Sequence, residues 1–435
     1  MTDTPSFSIN VDQNQYLPLD GTEVHAIVSV TSSKGSSLTA GTAAEAAEVI
    51  IVDTSGSMMG NEIVAARRAA RSAIDTLRDG VKFAIVAGTD RATMVYPRTT
   101  ELATVTAATR QEAKDAVGQL DAYGGTAMGE WLNLAATLFQ PVPDAIKHAI
   151  LLTDGQNNEP ASVLNQALER CSGLFVCDCR GVGVGWNVEE LRKISSALLG
   201  EVEMIADPQD MEEDFRKLTS KAMGKAVADV ALRLWTPQTA SVQYVKQVAP
   251  TVEDLTERRS EPASAPQAGD YPTGSWGDES RDYHICISVP PGTPGREMRA
   301  GWVRLVVAGA EEQVLASGNI LAEWTEDEER STRIHPSVAH YTGQEELSNA
   351  IQEGLRARKA GDLETATHRL GRAVELAHSS GHEDMTTRLG GVVDVVDAAS
   401  GTVRLKQQVS EQEEMMLDTA SVRTARIGPA RGTSA

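Results

Sequence analysis

The chain has 435 residues, 41% of them hydrophobic and 23% charged, which excludes wholesale disorder and suggests about three domains at ~150 residues each. Sixty-one acidic against forty basic residues give a net charge of −21, which disfavours binding to nucleic-acid backbones or anionic membranes. Aromatics are only 4%, so aliphatic residues and alanine must build the cores. Four cysteines are too few for a disulfide framework; Cys177 and Cys179, one residue apart in an apolar run, are expected with the others to be reduced packing residues. The segment MTDTPSFSINVDQ has no basic start or apolar stretch, and no apolar run approaches the ~20 residues of a membrane helix. The expected location is the cytoplasm.

In chain order, residues 1–35 read as strands, with Ser6 to Val11 and Glu23 to Val30 alternating in polarity. A small-residue connection follows. From about 46 the pattern becomes strand, helix, strand, helix. Val49 to Val52 is a short apolar run suited to a strand buried on both faces. A helix at 61–78, a strand from Lys82 to Ala87 and an antiparallel neighbour from Ala92 to Tyr96 come next. Helices at 109–121 and 128–139 precede a strand at 147–152. Then follow a helix (161–171), a strand (174–184), a helix (188–198), a strand (Val202 to Ala206) and a helix (209–224). This alternation predicts an α/β fold, a doubly wound and mainly parallel sheet covered by helices.

Residues 227–325 return to strand patterning, with a Pro/Gly/Ser-rich loop expected over 257–281. One β-sandwich with the α/β domain inserted between its strands explains both β segments. The predicted domains are 1–45 with 226–326 (sandwich), 46–225 (α/β) and 338–400 (a small α-helical unit). The last carries three apolar stripes: Leu347, Ile351 and Leu355; Ala366, Leu370, Ala373 and Ala377; Met385, Leu389, Val392 and Val396. The three-helix unit resembles a tetratricopeptide hairpin with a cap. Residues 408–435 are expected to form a flexible tail.

The informative segment is VIIVDTSGSMMG. An apolar strand runs into Asp53, Ser55 and Ser57, with Gly56 and Gly60 permitting a tight turn into a helix. In an open parallel sheet, the loops beyond the carboxyl ends of the strands form the ligand site. YGGTAMGEW puts Thr126 just before a helix, and ILLTDGQNNE puts Asp154 at the end of another buried strand. Two carboxylates and three hydroxyls are hard oxygen donors, suited to Mg²⁺ or Mn²⁺ rather than zinc or copper. Two negative charges only balance the ion, so it would accept one more oxygen from outside. Capping of a helix N-terminus could explain Ser55 or Ser57 singly, but not all five residues together.

Asp53-Thr54-Ser55-Gly56-Ser57, Thr126 and Asp154 resemble the metal-ion-dependent adhesion site of von Willebrand factor A domains. The resemblance covers about 46–225. It implies that Ser55, Ser57 and Thr126 ligate the ion directly or through water. Asp53 and Asp154 would ligate directly or from the next layer, and a partner's Asp or Glu would fill the open position. The flanks, with text such as VKQVAPTVEDLTERR and GDYPTGSWGDESRDYH, resemble intracellular bacterial proteins of this family common in actinobacteria. That likeness implies association with protein kinases, phosphatases and FHA-domain proteins.

The expected function is a non-enzymatic, metal-dependent protein-interaction scaffold. One alternative is an adaptor for a MoxR- or chelatase-type AAA ATPase. Another is a metal-dependent phosphatase. A haloacid-dehalogenase-type phosphotransferase needs a second acid two residues after its Asp, where this chain has Ser55. Gly181, Gly183 and Gly185 miss the GxGxxG order and read as backbone packing. His284 reads as structural, and Trp131 and Trp186 as core despite their place near the rim. Thr419 and Thr424 are candidate phosphorylation sites for FHA recognition if the tail is free.

Overall fold

The computed structural model describes residues 5–33, 45–262, 265, 267–307 and 313–426. The expected connection over 34–44 and the tail beyond 426 lie outside them. The described residues form two compact units. One comprises 45–228 with 274–277, and the other the remaining described residues.

The first unit is built on a sheet whose order is Val202–Ile205, Val176–Val182, Ile146–Thr153, Ala46–Asp53, Lys82–Gly88 and Ala92–Tyr96. The first five are parallel and Ala92–Tyr96 runs antiparallel, as expected. Ala46–Asp53 is buried at every position, which its continuous apolar text anticipates. Helix Asn61–Thr76 turns Ala65, Ala66, Ala69, Ala70, Ala73 and Ile74 inward. These small side chains let the helix sit close to Ile50, Val52, Phe83 and Ile85 in an aliphatic core. From Ala46–Asp53 the chain moves first to Lys82–Gly88 on one side, then returns to Ile146–Thr153 on the other. The winding direction reverses beside the strand that ends in Asp53, and a crevice at the carboxyl ends follows from that reversal.

The second unit holds two five-stranded sheets, apart from the strand ends at 227–228 and 274–276 that fall in the first unit. In one, Ser6–Gln13 pairs with Glu23–Ser33, which pairs with Glu279–Ser288, followed by Ser241–Ala249 and Glu253–Asp254. Segments from before and after the α/β unit therefore share one sheet. The other sheet runs Ala268–Trp276, Val227–Trp235, Glu297–Val307, Gln313–Trp324 and Tyr16–Leu17. The sheets are stacked. A Cβ on Gly301 would meet Ile287, and one on Gly318 would meet Val11 and Ile9. Helices Pro336–Lys359, Leu363–Ser379 and Glu383–Val392 bury the three expected stripes as far as Val392. Val338 and Tyr341 of the first helix cover Ile27, Val248 and Ala249.

Three expectations fail. Much of 257–281 is strand, in Ala268–Trp276 and the start of Glu279–Ser288. The third helix ends at Val392, and Val396 falls in a hairpin of Val393–Asp397 and Thr402–Leu405. The tail is structured as far as 426. Ser410 caps helix Glu411–Ala420, whose Met415, Leu417 and Ala420 are buried. Thr419 is 3% exposed, and the Thr424 hydroxyl donates to the Val248 carbonyl. Neither threonine is presented for phosphorylation in this fold.

Candidate functional site

Asp53 ends the central strand at 0% exposure. Its Oδ1 accepts the Ser55 N–H at 2.7 Å, and its Oδ2 accepts the Thr153 hydroxyl. The loop is held on both sides. Thr54 N–H donates to the Gly88 carbonyl, Tyr123 N–H to that of Thr54, and Gly56 N–H to that of Gly124. Ser55 and Ser57 place their hydroxyl oxygens 3.0 Å apart, and Ser57 Oγ donates to Asp154 Oδ1 at 2.6 Å. Thr126 is placed by Gly155. The point where a Gly155 Cβ would stand lies 3.2 Å from Ser57 Oγ, 3.3 Å from Thr126 Oγ1 and 3.9 Å from Asp53 Oδ2. All five residues singled out in the sequence thus gather at one rim. Ser57 is exposed while the other four are buried.

Sequence reasoning missed the residues that hold this rim. Thr153 bridges Asp53 and the Gly155 N–H. Helix Met128–Phe139 has no side-chain cap of its own. Its free N–H groups are taken by the loop after Asp154: Met128 donates to Asn157, and Gly129 to Glu159. Thr126 N–H donates to Asn158, whose own N–H returns to the Thr126 carbonyl. The Thr126 and Asp154 loops are therefore one hydrogen-bonded assembly. The run Gln156-Asn157-Asn158-Glu159 beside an uncapped helix was the available signal. At Gly185 a Cβ would stand 2.5 Å from the Asp154 carbonyl oxygen, so a side chain there would displace the loop.

Burial raises the pKa of both carboxyls. For Asp154 it reaches about 6, with the Asp53 and Glu62 charges adding to burial and the Ser57 hydrogen bond opposing it. For Asp53, burial outweighs the bonds from Thr153 and Ser55. The groups acting most strongly on the two are hydroxyls, backbone N–H groups and acids, with no basic side chain among them. A pair of buried acids with hydroxyls beside them and, among the described residues, no ion-pair partner suits a small hard cation.

Trp131 and Trp186 are core residues, 0% and 2% exposed, and their ring N–H groups donate to the carbonyls of Thr89 and Gly183. The apolar groups offered to solvent beside the rim are Met59, 70% exposed, and Tyr123, 63% exposed. Gly181 accommodates the Trp186 ring, a packing role as expected. All four cysteines are free and buried. Among the described residues no helix is long and apolar enough to cross a membrane.

Residues 47–204 match the von Willebrand factor type A domain model, and residues 375–421 match that of the von Willebrand factor type A C-terminal domain. The second match runs through the helix found in the expected tail. The solved von Willebrand factor type A protein from Catenulispora acidiphila is 50% identical, with 98% of each chain covered and a TM-score of 0.93. The ArnB paralog VWA2 from Sulfolobus acidocaldarius covers 96% of this chain and 100% of its own at 15% identity and a TM-score of 0.56, a likeness of fold alone. An uncharacterized Synechocystis protein, sll0103, is 28% identical over 267 residues, 57% of this chain and 58% of that protein. The chain thus spans under two thirds of that relative's length, and 25% of a Dictyostelium discoideum protein with the same domain. On the full-length match at half identity, this chain belongs to the von Willebrand factor type A family.

Proposed function

We propose that this chain is a metal-dependent protein-interaction scaffold in which Asp53, Ser55, Ser57, Thr126 and Asp154 hold Mg²⁺ for a partner's Asp or Glu. Proteins of this family engage partners through a divalent ion at such a rim. The observation that carries the reading is the gathering at one rim, beside Gly155, of three hydroxyls and two buried carboxylates that have no ion-pair partner among the described residues. When bound, the ion supplies an electrophilic position for one outside oxygen. The chain's own groups do the rest. Thr153 and the Ser55 N–H orient Asp53, and Ser57 orients Asp154. The Asn157–Glu159 segment fixes the Thr126 loop. Met59 and Tyr123 offer apolar contact around the charge-bearing centre, the arrangement expected of a binding hot spot.

The chain is further proposed to be non-enzymatic and cytoplasmic, with the helical segments as a second docking surface in a kinase, phosphatase and FHA signalling system. Ser55, where a phosphotransferase would need its second acid, is hydrogen-bonded to Ser57. Free buried cysteines suit a reducing compartment. The test is calorimetric titration of Mg²⁺ and Mn²⁺ into wild type and Asp53→Ala, with partner capture in Mg²⁺ or EDTA. The expected result is one ion per chain and a partner retained only by wild type with Mg²⁺. Equal capture under all conditions would remove the rim as the interface.

A further inference from the structure

On the outer face of the first sandwich sheet, three neighbouring strands and one helix bring seven polar or titratable side chains together. His25 stands opposite Cys286 in register, and Cys286 opposite Tyr244. Glu23, two residues before His25, shares its face, as His284 shares that of Cys286. Glu345 arrives from helix Pro336–Lys359 and Lys246 from the third strand.

Their hydrogen bonds form a directed chain. Lys246 Nζ donates to Glu345 Oε2 at 2.8 Å. The other oxygen of Glu345 lies 3.2 Å from His284 Nδ1, so that nitrogen carries a proton and donates. In the neutral ring His284 Nε2 is then bare; His25 Nδ1 and the Tyr244 hydroxyl each lie 3.2 Å from it and 3.2 Å from one another. In the tautomer with its proton on Nδ1, His25 donates to His284 Nε2 and its own Nε2 carries an unshared pair. That nitrogen faces Cys286 Sγ at 4.0 Å and Glu23 Oε2 at 3.8 Å. A carboxylate, a ring nitrogen and a thiol sulfur therefore converge on one point, and an ion bound there would displace the thiol hydrogen that Cys286 can otherwise give to His25 Nε2. Metal-binding histidines are commonly oriented in this way, by a partner that takes the other ring N–H.

We infer that Glu23, His25 and Cys286 form a second divalent-metal site, of the zinc class, on the sandwich. The three ligand atoms lie within 4.8 Å of one another. A tetrahedral zinc centre puts such atoms about 3.5 Å apart, so a contraction of a few tenths of an ångström closes the two shorter edges. Sulfur, nitrogen and oxygen donors select zinc or a similar ion over Mg²⁺. Three protein ligands leave a fourth position for water or an external ligand. Access is open on one side, because the Glu23 side chain is 64% exposed and that of His25 30%, while Cys286 is buried. Cys286, which reads in the sequence as a packing residue, thereby gains a role.

Cobalt(II) tests this on the full chain, because thiolate ligation produces a near-ultraviolet sulfur-to-cobalt band that an all-oxygen rim cannot. Wild type and Asp53→Ala should both develop the band at one equivalent, and Zn²⁺ should abolish it by competition. Cys286→Ser should lose the band. Glu23→Gln, altered only at an exposed carboxylate, should bind at least ~10-fold more weakly. If Cys286→Ser fails to fold, Glu23→Gln decides. No band in wild type, a band that survives Cys286→Ser, or unchanged affinity in Glu23→Gln would each overturn the site. Those results would leave a histidine–glutamate contact beside a packed thiol. Because Asp53→Ala is included, failure here is separable from failure of the Mg²⁺ rim.

Discussion

Gly155 lies against three of the five predicted ligands, Ser57, Thr126 and Asp53. A methyl group there would stand 3.2 Å from Ser57 Oγ and 3.3 Å from Thr126 Oγ1, in contact with the donors themselves. Gly155→Ala should therefore lower Mg²⁺ affinity by about an order of magnitude or more, a coupling of at least ~1.4 kcal/mol, while the fold persists. Calorimetric titration beside a thermal melt checks both halves. Wild-type affinity would show that the ion sits elsewhere. The grouping of the five candidate residues was legible because each falls next to the end of a strand or the start of a helix, where the apolar pattern locates it along the chain. Thr153 and Asn157 to Glu159 were not. Their roles depend on which loop lies across from them, a fact of tertiary structure that spacing along the chain does not carry.

At the scale of elements, the sheet of the α/β unit carries a buried polar tie at the opposite end of its strands. His148 Nδ1 meets both Glu48 oxygens at 2.8 and 3.0 Å, and its Nε2 meets Asp178 Oδ2 at 3.0 Å. The three residues lie on adjacent strands. Burial alone would lower the His148 pKa, but the Glu48 charge and the Asp178 hydrogen bond raise it to about 10. Asp178 is buried too, yet its bond to His148 and the nearby cations hold it well below the usual carboxylate range. Burial raises the Glu48 pKa against the pull of His148, so the stabilising share rests on His148 and Asp178. Because the folded-state pKa of His148 lies above its unfolded value, its own contribution is full below ~6.5. It is lost as pH rises through about 10. The Asp178 contribution has the opposite sense: present above ~3.9, lost in acid. His148→Gln strands two buried acids and should cost ~3–5 kcal/mol, most evident at neutral pH and fading toward pH 10. Glu48 lies five residues from Asp53, about 16 Å along the strand, so Mg²⁺ affinity should not change. Denaturant melts across pH, paired with titration, check this; a flat difference would sink the charged-histidine account. The strands and helices here were readable from apolar period alone. Helix Glu411–Ala420 was not, because its acidic text shows only a short apolar face. Its Ser410-x-x-Glu413 capping box was nonetheless present to be read. The Val393–Asp397 hairpin was likewise hidden by extending a helical stripe through β-branched residues that favour strands.

At the scale of the whole molecule, the chain leaves the sandwich after Glu23–Ser33, builds the α/β unit and returns to complete both sandwich sheets. That plan was legible because alternation of period two brackets alternation of strand and helix. What the sequence concealed is how the C-terminus closes the second unit. Asp282 is 2% exposed, and its carboxylate accepts two bonds from Arg426, at 2.8 and 2.7 Å, and one from the Tyr341 hydroxyl. Val252 N–H donates to the Val422 carbonyl, and Thr424 N–H to that of Pro250. Leu417 and Ala420 share a core with Leu347, Ile351 and Leu389. The segment 411–426 is thus an integral layer, although composition alone made it look like a tail. Truncation after 407 removes the arginine from a buried acid and uncovers that core together. It should destabilise the second unit by several kcal/mol, the scale of a buried ion pair broken from one side plus two or three buried side chains. Arg426→Ala, whose side chain is 38% exposed, should cost less, about 1–2 kcal/mol once solvent screening is allowed for. Hydrogen exchange locates the effect. Loss of protection should map to Ser241–Ala249, Glu279–Ser288 and the C-terminal helices, whereas the strand ending in Asp53 keeps its protection. Unchanged exchange in the truncated chain would mean that the terminal segment rests on the second unit without holding it together.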